Sequence, residues 1–331
     1  MKNILLIYTG GTIGMQKEGK DSLVPFNFDS ILNAFPELKE CDANVEHVST
    51  KNAIDSSDMN TENWVEISKI IEKQYNQYDS FVILHGTDTM AYTASALSFM
   101  LEGLNKGVIL TGSQIPIGAR RTDAKENLIT AIEIAASDKI SEVCIYFEDK
   151  LFRGNRTVKV NSENFEAFES PHLPALAQVG VNIKYNTSLL RNKDTKQLCV
   201  SKNMNTDISL LKLFPGISEK IVKSIIENSE TTVMESFGSG NSTSNKKFIS
   251  ILKEAIENGK IIVNCSQCLR GGVQQGKYEN SSELQRIGVI SAKDMTTETA
   301  ITKLMYLRGR GLKNDEIKTQ FKLSLRGEIT V

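Results

Sequence analysis

Short apolar runs alternate with segments of helical period along the first half of the chain. The runs are of strand length, are rich in Ile, Val, Phe and Tyr, and cover residues 4–8, 81–84, 108–110 and 143–147. Between them the apolar spacing predicts helices with the faces Trp64/Ile67/Ile71, Met90/Ala94/Leu97/Leu101 and Leu128/Ile132/Ala135. Continuous apolar strands that alternate with helices predict βαβ units and a parallel sheet with helices on both faces.

The alternation stops in a polar stretch and then resumes. Residues 188–207 are polar and lose the periodicity, so we interpret them as a linker. Beyond the linker, the pattern predicts strands at 208–214, 231–234, 261–264 and 289–291, and helices with the faces Ile249/Leu252/Ile256 and Ile301/Leu304/Met305, the second ending at Gly309. We therefore predict an α/β protein with a larger N-terminal parallel-sheet domain of flavodoxin or Rossmann type (residues 1–187) and a smaller C-terminal α/β domain (residues 208–331).

Charge and composition narrow the range of partners. The chain has 331 residues, with 39 Lys and Arg against 40 Asp and Glu, so its net charge of −1 leaves no electrostatic footprint for nucleic acid or an anionic membrane. The apolar run at 4–8 is shorter than the roughly 7–15 residues of a secretory signal, and no run approaches the roughly 18 residues of a membrane helix. We expect a cytoplasmic protein with no nucleic-acid or membrane partner.

The cysteines agree with a reducing compartment. There are five, an odd number, and most lie in apolar runs, which is typical of reduced core thiols. Cys265 and Cys268 form a lone CxxC motif with no second pair and no nearby histidine, so packing is a better interpretation than zinc binding. The sequence therefore predicts no zinc site at this motif.

Candidate chemistry lies directly after three of the predicted strands. In open α/β sheets, ligands bind beyond the carboxyl ends of the strands. The three segments found there are Thr9-Gly10-Gly11-Thr12-Ile13-Gly14, His85-Gly86-Thr87-Asp88-Thr89 and Thr111-Gly112-Ser113-Gln114. Each of them combines a glycine, which lets backbone N–H groups approach a ligand closely, with a small hydroxyl residue.

The first of these loops allows three interpretations. Residues 9–14 could form a tight turn with Thr12 as an N-cap, a nucleotide-binding glycine loop or a catalytic loop. The nucleotide interpretation is weakened because the first G-x-G of a dinucleotide loop is missing and residues 17–25 do not form a helix pattern.

The second loop shifts the balance toward catalysis. His85 is more typical of a hydrogen-bonded turn than of a metal site, and Asp88 could cap the next helix. A second threonine beside an acid nevertheless supplies what acyl transfer needs: a hydroxyl, a proton-transfer partner and backbone N–H donors for an oxyanion. The missing part is a base. A lysine such as Lys159 can serve, although sequence spacing does not single it out.

Taken together, the motifs closely resemble the bacterial-type L-asparaginases, in particular their cytoplasmic type I branch. The matching segments, in order, are Thr9-Gly-Gly-Thr12-Ile-Gly, Asp55-Ser-Ser-Asp58-Met, His85-Gly-Thr-Asp88-Thr-Met, Thr111-Gly-Ser-Gln-Ile-Pro116, Gly154-Asn-Arg-Thr-Val-Lys159, Ser236-Phe-Gly-Ser-Gly-Asn241, Asn264-Cys-Ser-Gln-Cys268 and Asp294-Met-Thr-Thr-Glu298. The resemblance spans nearly the whole chain.

The resemblance implies hydrolysis of L-asparagine to L-aspartate and ammonia through a threonine acyl-enzyme, without metal or cofactor. Thr12 matches the nucleophile. Thr87, Asp88 and Lys159 match a second set that activates a hydroxyl or the resolving water. The N–H groups of Gly11 and Thr87 match the oxyanion donors, and Ser56, Ser57 and Asp58 match the loop that holds the α-carboxylate and α-ammonium of the substrate.

The chain departs from the family pattern in the loop after the first strand. The family usually places a tyrosine there, just before a proline, but residues 13–30 contain no tyrosine, and the position anchored on Pro25 is Leu23 or its neighbour. Either another residue activates Thr12, or Thr87 and Lys159 carry more of the activation. Two alternatives stay open: a paralogue that binds asparagine without turning it over, and an asparaginase-like subunit of a tRNA-dependent amidotransferase.

The resemblance also bears on assembly and regulation. It implies a homodimer or a homotetramer in which Asn241 contacts the site of the neighbouring subunit. Some relatives bind a second asparagine between subunits through an arginine, a threonine and a cysteine. Cys268 matches the cysteine, but Glu235 and Val158 occupy the other two positions. Since a glutamate repels a ligand carboxylate and a valine has no hydroxyl to donate, we expect hyperbolic saturation by asparagine.

Overall fold

The chain divides after Lys202. In the computed structural model, residues 1–18, 22–25, 41–276 and 279–331 are described, and they form two units, Met1–Lys202 and Asn203–Val331. Each unit has its own sheet and its own buried apolar core. None of the helices in these stretches has the length and apolar character that crossing a membrane requires.

The N-terminal unit is built on a large sheet. Its strands are β1 Lys2–Gly10, β2 Met15–Glu18, β3 Ser22–Pro25, β4 Ala43–Ile54, β5 Ser80–Leu84, β6 Leu101–Glu102, β7 Val108–Thr111, β8 Val143–Phe147, β9 Lys150–Arg153, β10 Val158–Lys159, β11 Phe168–Glu169, β12 Ala177–Gln178, β13 Lys184–Tyr185 and β14 Cys199–Val200. Its α-helices are Thr61–Gln74, Met90–Met100 and Ala124–Ala136, and short 3₁₀ turns cover Thr12–Gly14, Ser56–Asp58 and Gly154–Arg156.

The large sheet is parallel at its centre and antiparallel at one side. Its strand order is β13-β12-β9-β8-β7-β5-β1-β4; the pairs from β4 to β8 are parallel, and those from β8 to β13 are antiparallel. The predicted strands are confirmed as β1, β5, β7 and β8, which are almost entirely buried. The sequence did not reveal β4, because this edge strand has no continuous apolar run and only Ala43 and Thr50 of its twelve residues are buried.

Helices pack on this sheet with the predicted faces. Trp64, Ile67 and Ile71 are buried on helix Thr61–Gln74, and the apolar face of helix Ala124–Ala136 is buried as well. The prediction for Leu101 is wrong. The helix ends at Met100, and Leu101 begins β6, where it pairs with Val200 of β14.

The C-terminal unit contains a smaller parallel sheet. Its strands β15 Ile208–Lys212, β16 Thr231–Ser236, β17 Ile261–Ser266 and β18 Ile290–Ser291 pair in sequence order. Its helices are Glu219–Glu227, Lys246–Glu257, Glu279–Ile287, Thr297–Gly309 and Asn314–Lys322. The four predicted strands and both predicted helices are confirmed, whereas the short helices at 219–227, 279–287 and 314–322 were not foreseen.

All five cysteines are in the described part of the chain, and none of them forms a disulfide. Cys41, Cys144 and Cys265 are buried, as expected of core thiols, and burial raises the pKa of the Cys265 thiol. Cys199 and Cys268 are exposed. The two thiols of the CxxC motif therefore differ in environment, one inside the small sheet and one on the surface.

A buried ion pair anchors the end of the C-terminal unit. Lys303 and Glu328 have fully buried side chains, and their charged atoms are 2.5 Å apart. The ammonium also donates to the carbonyl oxygens of Phe321 and Leu323, so its three N–H groups have three acceptors. Glu328 in turn accepts the N–H groups of Leu325 and Arg326. The last residues of the chain are thus fixed to the helix Thr297–Gly309.

We predict that Glu328→Gln lowers the free energy of unfolding by about 3–5 kcal/mol, because it leaves the Lys303 ammonium buried without its counter-charge. Urea titration measures the change. The control is Glu227→Gln, which breaks the exposed i,i+4 pair between Lys223 and Glu227 and should cost about 0.5 kcal/mol or less. Equal effects of the two variants would contradict the anchoring role.

Candidate active site

Backbone contacts between glycines bring the first two predicted loops together. Gly11 has a positive φ of 85°, and a β-carbon added to it would lie 2.4 Å from the backbone nitrogen of Gly86. Gly10 also has a positive φ, and it pairs with Ile54 at the end of β4. A side chain at Gly11 would push the two loops apart. The loop after β1 therefore lies directly against the loop after β5 because both are glycine at the contact.

The turn Ser56–Asp58 packs against the loop after β5, at Gly86 and Thr89. A β-carbon on Gly86 would lie 2.5 Å from the Ser56 hydroxyl oxygen, and Thr89 donates a 2.6 Å hydrogen bond to the Ser56 carbonyl. Asp55 caps the turn by accepting the backbone N–H and the hydroxyl of Ser57, each at 2.9 Å. These hydrogen bonds lower the pKa of Asp55. Ser56 is buried, whereas Ser57 and Asp58 are exposed and face solvent.

Three of the predicted catalytic side chains are in direct contact. The Lys159 ammonium donates to the Thr87 hydroxyl oxygen at 2.8 Å and to the Asp88 carboxylate at 2.6 Å. The Thr87 residue is buried, the Lys159 side chain is 16% exposed and the Asp88 side chain is 65% exposed. Lys159 lies on β10, which pairs with β11 and is not part of the large sheet. The lysine that sequence spacing could not select thus reaches a threonine more than seventy residues earlier.

Gln114, in the loop after β7, is a site residue that the sequence analysis did not assign. Its side-chain oxygen accepts the Thr87 hydroxyl at 3.2 Å, and its amide nitrogen donates to the Asn164 carbonyl at 3.1 Å. Its backbone is held by Asp123, whose carboxylate accepts the N–H groups of Gln114 and Ile115. The sequence did place Gln114 at the end of the third glycine-containing loop. It could not show which way the side chain points, so it did not identify Gln114 as a site residue.

His85 is a buried structural histidine. Trp64 Nε1 can only donate, and it donates to Thr93 Oγ1 at 2.9 Å; the Thr93 hydroxyl is 2.9 Å from His85 Nε2. The Gly86 carbonyl, 2.6 Å from His85 Nδ1, can only accept, so Nδ1 carries the proton of the neutral ring. Nε2 is then an acceptor, and Thr93 donates its single proton to it. Since the Gly86–Thr87 peptide is trans, fixing its C=O on one side directs the Thr87 N–H to the other side.

Burial lowers the pKa of His85 from 6.5 to about 4. The ring is therefore neutral at pH 7, and both of its nitrogens are occupied by internal hydrogen bonds. His85 does not serve as a metal ligand, which agrees with the turn interpretation of its motif. Among the described residues, no group of three or more His, Cys, Asp or Glu side chains could hold a metal ion.

Thr12 opens a 3₁₀ turn directly after Gly11 and is half-buried. The chain then enters the hairpin of β2 and β3 rather than a helix, so the phosphate-binding helix of a dinucleotide loop is absent from this place. The Thr12 hydroxyl makes no hydrogen bond to Thr87 or Lys159 in the described part of the chain. The backbone of Leu23 lies in β3, but its side chain, like residues 19–21 and 26–40, lies outside the described structure.

The arrangement offers the parts of a covalent hydrolase. It presents two threonine hydroxyls from neighbouring loops, an ammonium that donates to one of them, a carboxylate paired with that ammonium, and backbone N–H groups from glycine-containing turns. All of these groups except Lys159 lie beyond the carboxyl ends of β1 and β5. Fold and site together define a two-domain α/β protein with a threonine–lysine–aspartate site.

Family models identify the class more closely. The model described as Asparaginase, N-terminal, matches residues 3–191, and the model described as Glutaminase/Asparaginase C-terminal domain matches residues 207–321. The chain belongs to the asparaginase family.

Individual relatives agree over the whole chain. The L-asparaginase 1 of Escherichia coli K12 is 41% identical over 333 residues, which cover 99% of this chain and 98% of that protein. The crystal structure of L-asparaginase I from Vibrio cholerae superposes with a TM-score of 0.93 at 40% identity, covering 100% of this chain and 99% of the other. One subunit of the glutamyl-tRNA(Gln) amidotransferase of Pyrococcus horikoshii is 32% identical over 343 residues, covering all of this chain and 77% of that protein.

We predict that the free energy of unfolding falls as the pH is lowered from 6.5 to about 4, because His85 is buried in its neutral form. In this window the unfolded histidine binds a proton that the folded, buried ring does not bind until about pH 4. One pKa unit corresponds to about 1.4 kcal/mol, so about 3 kcal/mol of stability is present above pH 6.5 and is lost toward pH 4.

Urea titrations across this range measure the effect. The variant His85→Asn should show a shallower fall in unfolding free energy than the wild type, because Asn has no proton to take up. Parallel pH curves for the two proteins would show that His85 does not carry this part of the acid sensitivity.

Proposed function

We propose that this protein hydrolyses L-asparagine to L-aspartate and ammonia through an acyl-enzyme formed on Thr12. The observation that carries the proposal is the hydrogen-bonded group of Thr87, Lys159 and Asp88, which lies beside the Thr12 loop. Full-length similarity to E. coli L-asparaginase 1 supports the same substrate.

The reaction follows from the groups present. The Thr12 hydroxyl oxygen bonds to the side-chain carbonyl carbon of asparagine, the carbon–nitrogen bond breaks, and the nitrogen leaves as ammonia with the proton released from Thr12. Water then attacks the ester, the bond to Thr12 breaks, and Thr12 recovers a proton as aspartate leaves. The N–H groups of Gly11 and Thr87 stabilise the oxyanion in both steps, and the neutral His85 supports the Thr87 N–H through the Gly86 carbonyl.

Substrate orientation is assigned to the turn Ser56–Asp58. In this proposal Ser56, Ser57 and Asp58 hold the α-carboxylate and α-ammonium of asparagine. Ser57 already donates its proton to Asp55, so its oxygen presents lone pairs to a ligand. The exposed Asp58 carboxylate has the charge to bind the ammonium.

We predict that Thr12→Ala retains the fold and asparagine binding but loses orders of magnitude in kcat, since removal of a nucleophile closes the acyl route. Lys159→Met should also be severely impaired, because it removes the ammonium in contact with Thr87 and Asp88. A coupled ammonia assay with L-Asn, L-Gln and D-Asn measures turnover, and mass spectrometry of the quenched protein detects the acyl-enzyme.

Matched controls are Thr187→Ala and Lys184→Met, at exposed positions away from the site; both should be near wild type. If Thr12→Ala keeps more than about a tenth of the wild-type kcat, the nucleophile is another residue. Tight asparagine binding by a wild-type protein that releases no ammonia would favour the non-catalytic paralogue. Ammonia transfer that depends on charged tRNA would favour the role of an amidotransferase subunit, the alternative represented by the 32% identical protein of Pyrococcus horikoshii.

Assembly and location are part of the same proposal. We propose a cytoplasmic homodimer or homotetramer in which Asn241, in the turn bridged by Phe237 and Asn241, contacts the neighbouring subunit. Light scattering on the active protein tests the assembly, and a fully active monomer would contradict it.

We predict a hyperbolic response to asparagine, with a Hill coefficient of about 1. The Glu235 carboxylate accepts the Thr297 hydroxyl at 2.6 Å and pairs with Lys212 at 3.3 Å, so it is already committed to internal partners. A carboxylate held there repels the carboxylate of a second asparagine. An effector that binds two conformations of the protein equally well does not shift the equilibrium between them. Steady-state kinetics measure the coefficient. A value of about 2 or more that is lost in Cys268→Ser would show a working second site.

A further inference from the structure

The Thr87 hydroxyl has a determined direction, and Gln114 determines it. A carbonyl oxygen can only accept, so the 3.1 Å contact with the Asn164 carbonyl assigns the nitrogen of the Gln114 amide to that side. The oxygen of the amide therefore faces Thr87 Oγ1, 3.2 Å away. An amide oxygen cannot donate, so the proton between the two atoms belongs to Thr87.

The Lys159 contact fits only this arrangement. The Thr87 hydroxyl has a single proton, and that proton is given to Gln114. The 2.8 Å contact between Lys159 Nζ and Thr87 Oγ1 is therefore donated by the lysine. The same nitrogen donates to Asp88 at 2.6 Å, as an ammonium does. One lone pair of Thr87 Oγ1 remains for a group that arrives with a proton, such as water or another hydroxyl.

The Gln114 amide is held from two sides. The Asp123 carboxylate, on a residue that is 7% exposed, accepts the backbone N–H groups of Gln114 and Ile115 and so fixes the start of the side chain. The Asn164 carbonyl is presented by a turn in which the Asn161 side chain accepts the N–H groups of Glu163 and Asn164, at 2.8 and 3.0 Å. Neither Asp123 nor Asn161 hydrogen-bonds to Thr87 in the described structure, yet both fix the amide that does.

We infer that Gln114 is a positioning residue for the hydrolytic reaction: it takes the Thr87 proton, so that Thr87 Oγ1 acts as an acceptor for Lys159 and for the attacking water. The inference rests on the proposed function for its role in turnover, whereas the hydroxyl direction itself does not. Without the Gln114 oxygen, the Thr87 proton can turn toward the reacting water, which then loses its acceptor.

Neutron diffraction from a deuterium-exchanged crystal of the wild-type protein tests the direction without any use of activity. We expect nuclear density for a deuteron between Thr87 Oγ1 and Gln114 Oε1, and three deuterons on Lys159 Nζ. A Thr87 deuteron that points to Lys159 Nζ, with two deuterons on that nitrogen, would overturn the inference. If the wild type releases no ammonia, the proposed function is wrong and the neutron map still decides the hydroxyl direction.

Kinetics test the role in turnover. Gln114→Met keeps the length of the side chain and removes the acceptor, and we expect kcat to fall roughly three- to tenfold, as loss of one hydrogen bond does, with KM changed less than about twofold. Asn161→Ala should act in the same direction because it loosens the turn that holds the amide, and Asn161→Asp, which keeps the accepting oxygen, should restore kcat.

The decisive comparison is the double variant Gln114→Met/Asn161→Ala. If both residues act through one amide, the double variant loses no more than the worse single variant. Multiplicative losses, or a wild-type kcat in Gln114→Met, would show that Gln114 does not position Thr87. The control is Gln77→Met, at an exposed glutamine outside the network, which should leave kcat unchanged.

Discussion

The site depends on a place where two loops meet backbone to backbone. Gly11 and Gly86 approach so closely that a β-carbon on Gly11 would lie 2.4 Å from the Gly86 nitrogen, and one on Gly86 would collide with Ser56. Any side chain there would separate the Thr12 loop, the Ser56 turn and the Thr87 loop by the width of a methyl group or more. Parallel strands deliver these loops to one edge of the sheet, but the missing side chains allow them to form one site.

Buried polar groups then hold the loops in position. Trp64, Thr93 and His85 form a hydrogen-bonded series that ends on the Gly86 carbonyl. The buried Asp123 carboxylate holds the loop that carries Gln114 by accepting the backbone N–H groups of Gln114 and Ile115. Loops have little apolar surface with which to pack, so hydrogen bonds to buried, fully satisfied side chains are the means by which their backbones acquire a single conformation. The acid sensitivity of His85 is a consequence of this arrangement, since only the neutral ring can be buried there.

The ion pairs Lys303–Glu328 and Lys159–Asp88 differ in solvent exposure, and the difference matches their roles. Lys303 and Glu328 are fully buried and have every N–H of the ammonium satisfied by the protein, so this pair fixes the end of the chain. The Lys159 side chain is 16% exposed and its Asp88 partner 65% exposed, so solvent and substrate can reach them. An ion pair open to water can exchange partners during a reaction at little cost, whereas a buried pair cannot.

By itself, the sequence determined the elements that are continuously buried and the loops that follow them. The apolar runs of β1, β5, β7 and β8 predicted the centre of the sheet, and the glycine–threonine segments predicted where its chemistry lies. The edge strand β4 was missed because most of its residues are exposed or half-buried and it has no continuous apolar run. The pairing of Lys159 with Thr87, and the direction in which Gln114 turns the Thr87 hydroxyl, were decided only by the tertiary structure. Contacts between residues 27 and 72 positions apart depend on how strands and turns are placed in space, and side-chain hydrogen bonds have no periodicity along the chain that a pattern could reveal.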